Sequence, residues 1–352
     1  MLDYLTDNRL IKRPPPGELR SRDMTLQAGI SMIGVYRPDR IVSNAELAPG
    51  LNVNDEWIIR RTGITERRFA GPHETVTTMA TRAADAALSA AEMRAELVDM
   101  VILATSTQLT QTPACAPAVA AQLGCRHPAA FDISAGCSGY AHGIGQAAAL
   151  INAGQADTIL VIGSEKLSNN IDLEEPSVAP IFGDGAGAAI VTRVDSGHIR
   201  RTVWGSAGEH AELIRQEPTW EEFRADPTLV APSLRMDGTA VFRWATATVP
   251  SLVRRIAEAG EIALSEVEVF IPHQANQRII DSVVREIGWE NQSVAIADDV
   301  RRSGNTSAAA LPLAIDDLVN SARAKPGQLA LQVSFGAGLS YAGQVFGLPK
   351  VA

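Results

Sequence analysis

The chain has 352 residues, 46% hydrophobic and 20% charged, a composition that suits a globular protein with one large core or two medium ones. A net charge of -9 argues against a general nucleic-acid binder. No run approaches the roughly 20 consecutive apolar residues that a membrane-spanning helix needs, so no membrane role is expected.

The opening stretch, MLDYLTDNRLIKRPPPGELRSRD, carries charges throughout and has no apolar core of the signal-peptide kind. With its Pro14-Pro15-Pro16 run it reads as a flexible extension over residues 1–27, the fold starting near Gln27. The three cysteines Cys115, Cys125 and Cys137 make no disulfide framework in so long a chain. Free thiols and a cytoplasmic setting are the expectation. Neither CxxC nor HExxH spacing occurs, so no metal is expected.

Short β-type runs then alternate with Ala-rich helical stretches. Met100–Leu103 precedes a helix near Ala116–Leu123, and Ala130–Ile133 precedes one near Ala141–Ala153, followed by Ile159–Ile162. This rhythm predicts an α/β fold with helices covering mixed or parallel sheets. The pattern also repeats. SAAEMRAELVDMVI ends at Ile102 and EAGEIALSEVEVFI at Ile271, an offset of 169, while Ile159–Ile162 lines up with Leu329–Gln332, an offset of 170. GDGAGAAIV from Gly183 resembles GAGLSYAGQVF from Gly336, with a loop near Leu167–Phe182 missing from the second copy. Two halves of one topology are predicted, residues 28–198 and 199–352. Cys137 and Asn305 would then occupy equivalent strand-to-helix turns near a shared axis.

Three residues carry candidate chemistry. Cys137, in Ser134–Tyr140, follows a strand and opens an Ala-rich helix, where the positive end of the helix dipole favours thiolate. Its neighbours Gly136, Ser138 and Gly139 leave room for a substrate, and the turn offers a backbone N–H to an oxyanion. A buried structural cysteine fits the same local pattern. His273, in IPHQAN directly after the run Val267–Ile271, is placed to enter a cleft. Asn305, in SGNTSAA, precedes an Ala-rich helix and is equally an N-cap candidate.

These motifs, with Asp55–Ile64 (DEWIIRRTGI) and Phe182–Gly187 (FGDGAG), stand together in one order. From about Gly29 to the C-terminus the sequence resembles β-ketoacyl-ACP synthase III of the thiolase superfamily. The resemblance implies a thiolase-like five-layered αβαβα fold built from two duplicated halves, and a homodimer. It implies that an acyl-CoA primer loads onto Cys137 and then condenses with malonyl-ACP, which loses carbon dioxide. His273 and Asn305 would donate hydrogen bonds to the malonyl thioester oxygen. The acyl-transfer oxyanion would meet the backbone N–H groups of Cys137 and Ala337, where the family usually has glycine. Phe335 would shield the thiol from water.

The same resemblance assigns Trp57 and Arg61 to the CoA adenine and Asn276 to the pantetheine. A basic adenine contact of some members is Asn169 here. Arg243, Arg278 and Arg285 would receive an acidic acyl carrier protein, although Arg243 and Arg285 also read as ordinary solvated helix charges. Thr112 stands where some acetyl-specific members place a Phe that reaches across the dimer, so a branched or medium-length primer is expected. No cofactor beyond these substrates is implied. Fatty-acid initiation and polyketide priming use the same residues and remain two readings. A related acyltransferase that passes the acyl group from Cys137 to an alcohol or amine is the nearer alternative, and the idiosyncratic stretch Gly205–Leu229 would shape its acceptor site. A thiolase would need a second cysteine in the turn Ser334–Gly338, which has none. A partner subunit without activity would lack Cys137.

Overall fold

A computed structural model describes residues 27–352; of the predicted extension only Gln27 falls among them, and it opens the first strand. In chain order the first half runs β1 (Gln27–Tyr36), β2 (Ile41–Ser43), α1 (Asn44–Leu47), α2 (Asp55–Thr62), β3 (Glu66–Arg68) and α3 (Val76–Ala90). It continues with β4 (Met100–Ala104), α4 (Cys115–Leu123), β5 (Ala129–Ile133), α5 (Gly139–Asn152), β6 (Thr158–Glu165) and β7 (Gly185–Val194). The second half begins with β8 (Val203–Ser206), β9 (Ile214–Glu217), α6 (Trp220–Ala225), β10 (Ser233–Met236), α7 (Gly238–Ala259), β11 (Val269–Pro272) and α8 (Gln277–Ile287). It closes with β12 (Ala295–Ile296), α9 (Val300–Ser303), α10 (Ala310–Asn320), β13 (Leu329–Gly336), β14 (Ser340–Gly347) and β15 (Lys350–Val351).

The two main sheets share one topology. The first has the order β1-β7-β6-β4-β5, with β15 added at its edge, and the second β8-β14-β13-β11-β12. Pairing senses match position by position: two antiparallel junctions, then two parallel ones. The registers correct one detail of the sequence alignment. Met100 pairs with Ile159 in the first sheet and Val269 with Ala330 in the second. Ile159 therefore matches Ala330 rather than Leu329. The slip matters because one residue turns every side chain of a strand to the opposite face. Between β6 and β7 lies the long connection 166–184, where β13 and β14 are joined by residues 337–339 only.

Alternation along the strands builds five layers. Ile102, Ile159 and Val161 face a central core with α5 and α10, while Val101, Leu103, Leu160 and Ile162 face α3 and α4. In the second sheet Val269, Ile271 and Ala330 turn to the same central core, and Phe270 and Leu331 turn to α7 and α8. The strands β4 and β6 are buried on both faces, which explains their unbroken apolar runs. Layers of α3/α4, sheet, α5/α10, sheet and α7/α8 result.

Candidate active site

Each half enters its central helix through a 3₁₀ turn, Gly136–Ser138 before α5 and Ser307–Ala309 before α10. The first residue of each turn, Gly136 and Ser307, has φ +51°. The two turns pack against each other. They are thus equivalent, although Cys137 lies inside its turn and Asn305 two residues ahead of the other. Close approach is built in with glycine: a Cβ on Gly336 would sit 2.4 Å from the Cys137 nitrogen, and one on Gly136 2.9 Å from the Ala337 nitrogen. The backbones around Cys137 and Ala337 therefore lie directly against each other.

A cavity of about 680 Å³ lies against these turns. Its lining includes Cys137, His273, Asn305, Phe335 and Ala337 together with Trp57, Arg61, Asn276 and Arg278. Residues from the connection 166–184 and from the β9–β10 arm, among them Phe182, Ile214 and Met236, supply apolar wall.

Cys137 is half-buried. Burial first, and the charge of Glu165 second, push its thiol up to about 12, while polar contacts with the Ser307 and Asn305 side chains favour the thiolate. The helix N-terminus is where the sequence placed it, but the resting group is a thiol, because desolvation outweighs the stabilising contacts. His273, 2% exposed, is held down to about 3 by burial and is therefore a neutral imidazole. Its backbone N–H donates to Val333 O at 2.7 Å, its ring stands edge-on to Phe335 at 5.3 Å, and its Nδ1 is shut in without a protein partner. Phe335 in turn packs on Trp244 at 5.6 Å, so the ring beside His273 is fixed from behind.

Asn305 lines the cavity, and it is not the N-cap the sequence offered: that position falls to Thr306 for the turn and to Ala309 for α10. Its Oδ1 accepts from the Ser307 N–H at 2.8 Å, a bond within the loop that leads into the turn. Its backbone is fixed as well: the N–H donates to Ile181 O at 2.8 Å and the C=O accepts from Gly183 N at 3.1 Å. With Oδ1 engaged, the amide presents its NH₂ end to the cavity.

Asn54 caps α2 by accepting from Trp57 N, and Arg61 one turn later lies over the Trp57 ring at 4.6 Å. Asn276 caps α8 through Arg278 N at 2.9 Å and donates to Arg61 O at 3.2 Å, tying the two helices together. Arg278 lies over Phe242 at 5.4 Å. Arg243 and Arg285 are exposed and outside the cavity lining. Thr112 is exposed too, on the loop before α4, and does not line the cavity of its own chain. Among the described residues no group of three or more His, Cys, Asp or Glu could hold a metal ion.

Sequence reasoning missed Glu165 and the role of Ser307. Glu165 is buried at the end of β6 and accepts from Ser307 Oγ at 2.9 Å. A signal existed: a carboxylate closing an apolar strand at the carboxyl end of a sheet stands where α/β folds place their sites.

Two copies of one α/β unit, meeting at paired turns beside a cleft that holds a cysteine, are the arrangement of the thiolase fold. Comparison with known proteins agrees. Residues 131–208 match the family model for 3-oxoacyl-[acyl-carrier-protein (ACP)] synthase III, and residues 257–348 match its C-terminal model. The mycobacterial β-ketoacyl-[acyl-carrier-protein] synthase III of Mycobacterium marinum is 47% identical over 322 residues, 92% of this chain and 96% of its own. The β-ketoacyl-[acyl-carrier-protein] synthase III of Mycobacteroides abscessus is 45% identical over 92% of this chain and 95% of its own. Among solved structures, the priming β-ketosynthase of the R1128 polyketide pathway matches with TM-score 0.89 and 39% identity, covering 92% of this chain and 96% of that one. The synthase III of Aquifex aeolicus matches with TM-score 0.83 and 36% identity, covering 92% and 99%. The chain belongs to the 3-oxoacyl-ACP synthase III family, whose members condense in fatty-acid or polyketide priming.

Proposed function

We propose that this enzyme is an acyltransferase that takes the acyl group of an acyl-CoA onto Cys137 and condenses it with malonyl-ACP. The convergence of Cys137, His273 and the NH₂ end of Asn305 on one cavity floor carries this reading. The Cys137 sulfur attacks the primer carbonyl, whose oxygen gathers negative charge between the amides of Cys137 and Ala337; the C–S bond to CoA then breaks and CoA leaves. Malonyl-ACP then enters, and its thioester oxygen meets His273 and Asn305. Because Nδ1 of His273 is enclosed, Nε2 is the nitrogen a ligand reaches, and it carries the proton. Loss of carbon dioxide leaves an enolate between two neutral donors, and its carbon attacks the acyl-Cys137 carbonyl. Cys137 leaves as thiolate and the 3-oxoacyl-ACP departs. No cofactor enters these steps.

The Trp57–Arg61 pair and the exposed Arg278 suit the nucleotide end of CoA and an acidic carrier, with Arg243 and Arg285 on the outer approach. Thr112 takes part in the acyl pocket only from a neighbouring copy, so the reading includes a homodimer. The apolar wall beyond Phe182 and the small residue at 112 favour a primer longer than acetyl. No helix among the described residues is long and apolar enough to cross a membrane, which is compatible with a cytoplasmic enzyme.

Incubation with a panel of acyl-CoAs, read by intact mass beside Cys137→Ala, tests the reading. An adduct on wild type only, cleared by malonyl-ACP with formation of 3-oxoacyl-ACP, is the expected result. An adduct that malonyl-ACP cannot discharge would move the reading to acyl transfer onto an alcohol or amine. A marked preference for acetyl-CoA would refute the longer primer.

A further inference from the structure

Next to the nucleophile lies a carboxylate that the steps above do not use. Glu165 is 0% exposed and accepts hydrogen bonds from Thr105 Oγ1 at 3.1 Å, Ser106 N at 3.1 Å, Ser106 Oγ at 3.1 Å, Thr107 Oγ1 at 2.7 Å and Ser307 Oγ at 2.9 Å. The adjacent cation, Lys166, turns away and donates to the carbonyls of Gly71 and Glu74 at 2.6 and 2.9 Å. What faces Glu165 is therefore a set of hydroxyls, and one of them, Ser307, stands on the turn packed against that of Cys137 and lines the same cavity as the thiol. His273 on the same cavity is held neutral by burial.

We propose that Ser307 and Glu165 form a proton relay for Cys137 during acyl loading. The inference rests on Cys137 being the nucleophile. As the sulfur attacks the acyl-CoA carbonyl, the S–H proton passes to Ser307 Oγ and the Ser307 hydroxyl proton passes to a Glu165 oxygen. The new S–C bond forms, the C–S bond to CoA breaks, and the CoA thiolate takes a proton from solvent at the cavity mouth. After condensation Cys137 is released as thiolate and recovers its proton from Glu165 by the same path. The physical reason is charge. Ionising the thiol to solvent would put two negative charges in one enclosed pocket, whereas transfer to Glu165 keeps one throughout. Burial raises the Glu165 carboxyl as well as the thiol, which makes it a better acceptor.

Single-turnover loading, followed by rapid quench and intact mass from about pH 6 to 9, tests this with Glu165→Gln, Glu165→Asp, Ser307→Ala and the Gln/Ala double variant. Each of Glu165→Gln and Ser307→Ala should slow loading by about 10²-fold or more, the range of a lost proton transfer. Their rates should climb more steeply with pH than that of wild type, Glu165→Asp should recover part of the loss, and the double variant should be no slower than either single one. A Glu165→Gln enzyme that loads as fast as wild type, or faster, overturns the relay. Equal rates would mean Glu165 takes no part in loading, and a faster variant that its charge only repels the thiolate. Should Glu165→Gln fail to fold by thermal melting, unchanged loading by a folded Ser307→Ala would overturn it equally. If wild-type Cys137 itself takes no acyl group, the nucleophile assignment falls and the relay with it.

Discussion

At Asn305 one hydrogen bond decides which end of an amide a substrate meets. The Ser307 N–H holds Oδ1, so the NH₂ end is left for the thioester oxygen. Asn305→Ala should lower malonyl-ACP decarboxylation by about 10²- to 10³-fold, as loss of one such donor does, while acyl loading on Cys137 persists. Asn305→Asp should be no better, because it keeps the bond to the Ser307 N–H but turns a carboxylate oxygen toward developing negative charge. Carbon dioxide release and intact mass separate the two half-reactions; equal loss in both would sink the assignment. His273 makes a second residue-scale claim. Burial depresses it from 6.5 to about 3, so between those values the unfolded chain binds the extra proton. Stability from this group is therefore full above about pH 6.5 and falls as pH drops toward 3. Thermal melts of wild type and His273→Gln should show the wild-type advantage shrinking from pH 7.5 to about pH 4.5. Parallel curves would show that the imidazole is not desolvated.

Among the elements, α8 shows how a cap becomes part of a site. Asn276 stops the chain from fraying at its N-terminus and also grips Arg61 on α2, so the Trp57–Arg61 stack is held by the start of another helix. Asn276→Ala should cost about 1 kcal/mol in urea denaturation, the usual value of a lost N-cap. It should raise the KM for acyl-CoA with little change in kcat, since the nucleotide end is bound equally in ground and transition states. A fall in kcat at unchanged KM would count against the binding role. The cavity wall follows the same logic: the connection 166–184 and the β9–β10 arm are where the halves differ in loop length, and both reach the site.

For the molecule as a whole, the open question of assembly lies on β5. Among the described residues this strand bonds only to β4 and ends its sheet, with Phe131 37% exposed. An exposed edge of this kind is ready to pair with another strand, and a twofold contact there would continue the sheet into a second copy. Light scattering should give twice the 37.4 kDa chain mass, and Phe131→Glu should shift the protein toward monomer. Because Thr112 would reach only a neighbour's cavity, that variant should also change the primer preference. A wild-type monomer with the expected primer range would remove Thr112 from the pocket.

Much of this protein was legible in its sequence because periodicity and motif order are local. The duplicated βαβ rhythm, the turns around Cys137 and Asn305 and the strand end at His273 are all set by neighbouring residues. Alignment by eye failed by one residue at β6 against β13, since apolar runs buried on both faces carry no alternation to fix the face. What tertiary structure alone decided were the interactions between residues distant in the chain. Among these are the amide end that Asn305 shows, the nitrogen that His273 leaves open, and the thiol of Cys137 kept protonated by burial. The contact of Glu165 with Ser307 joins residues from opposite halves. Desolvation and long-range hydrogen bonds depend on which groups exclude water from a shared space, and that is settled only when the two halves close on each other.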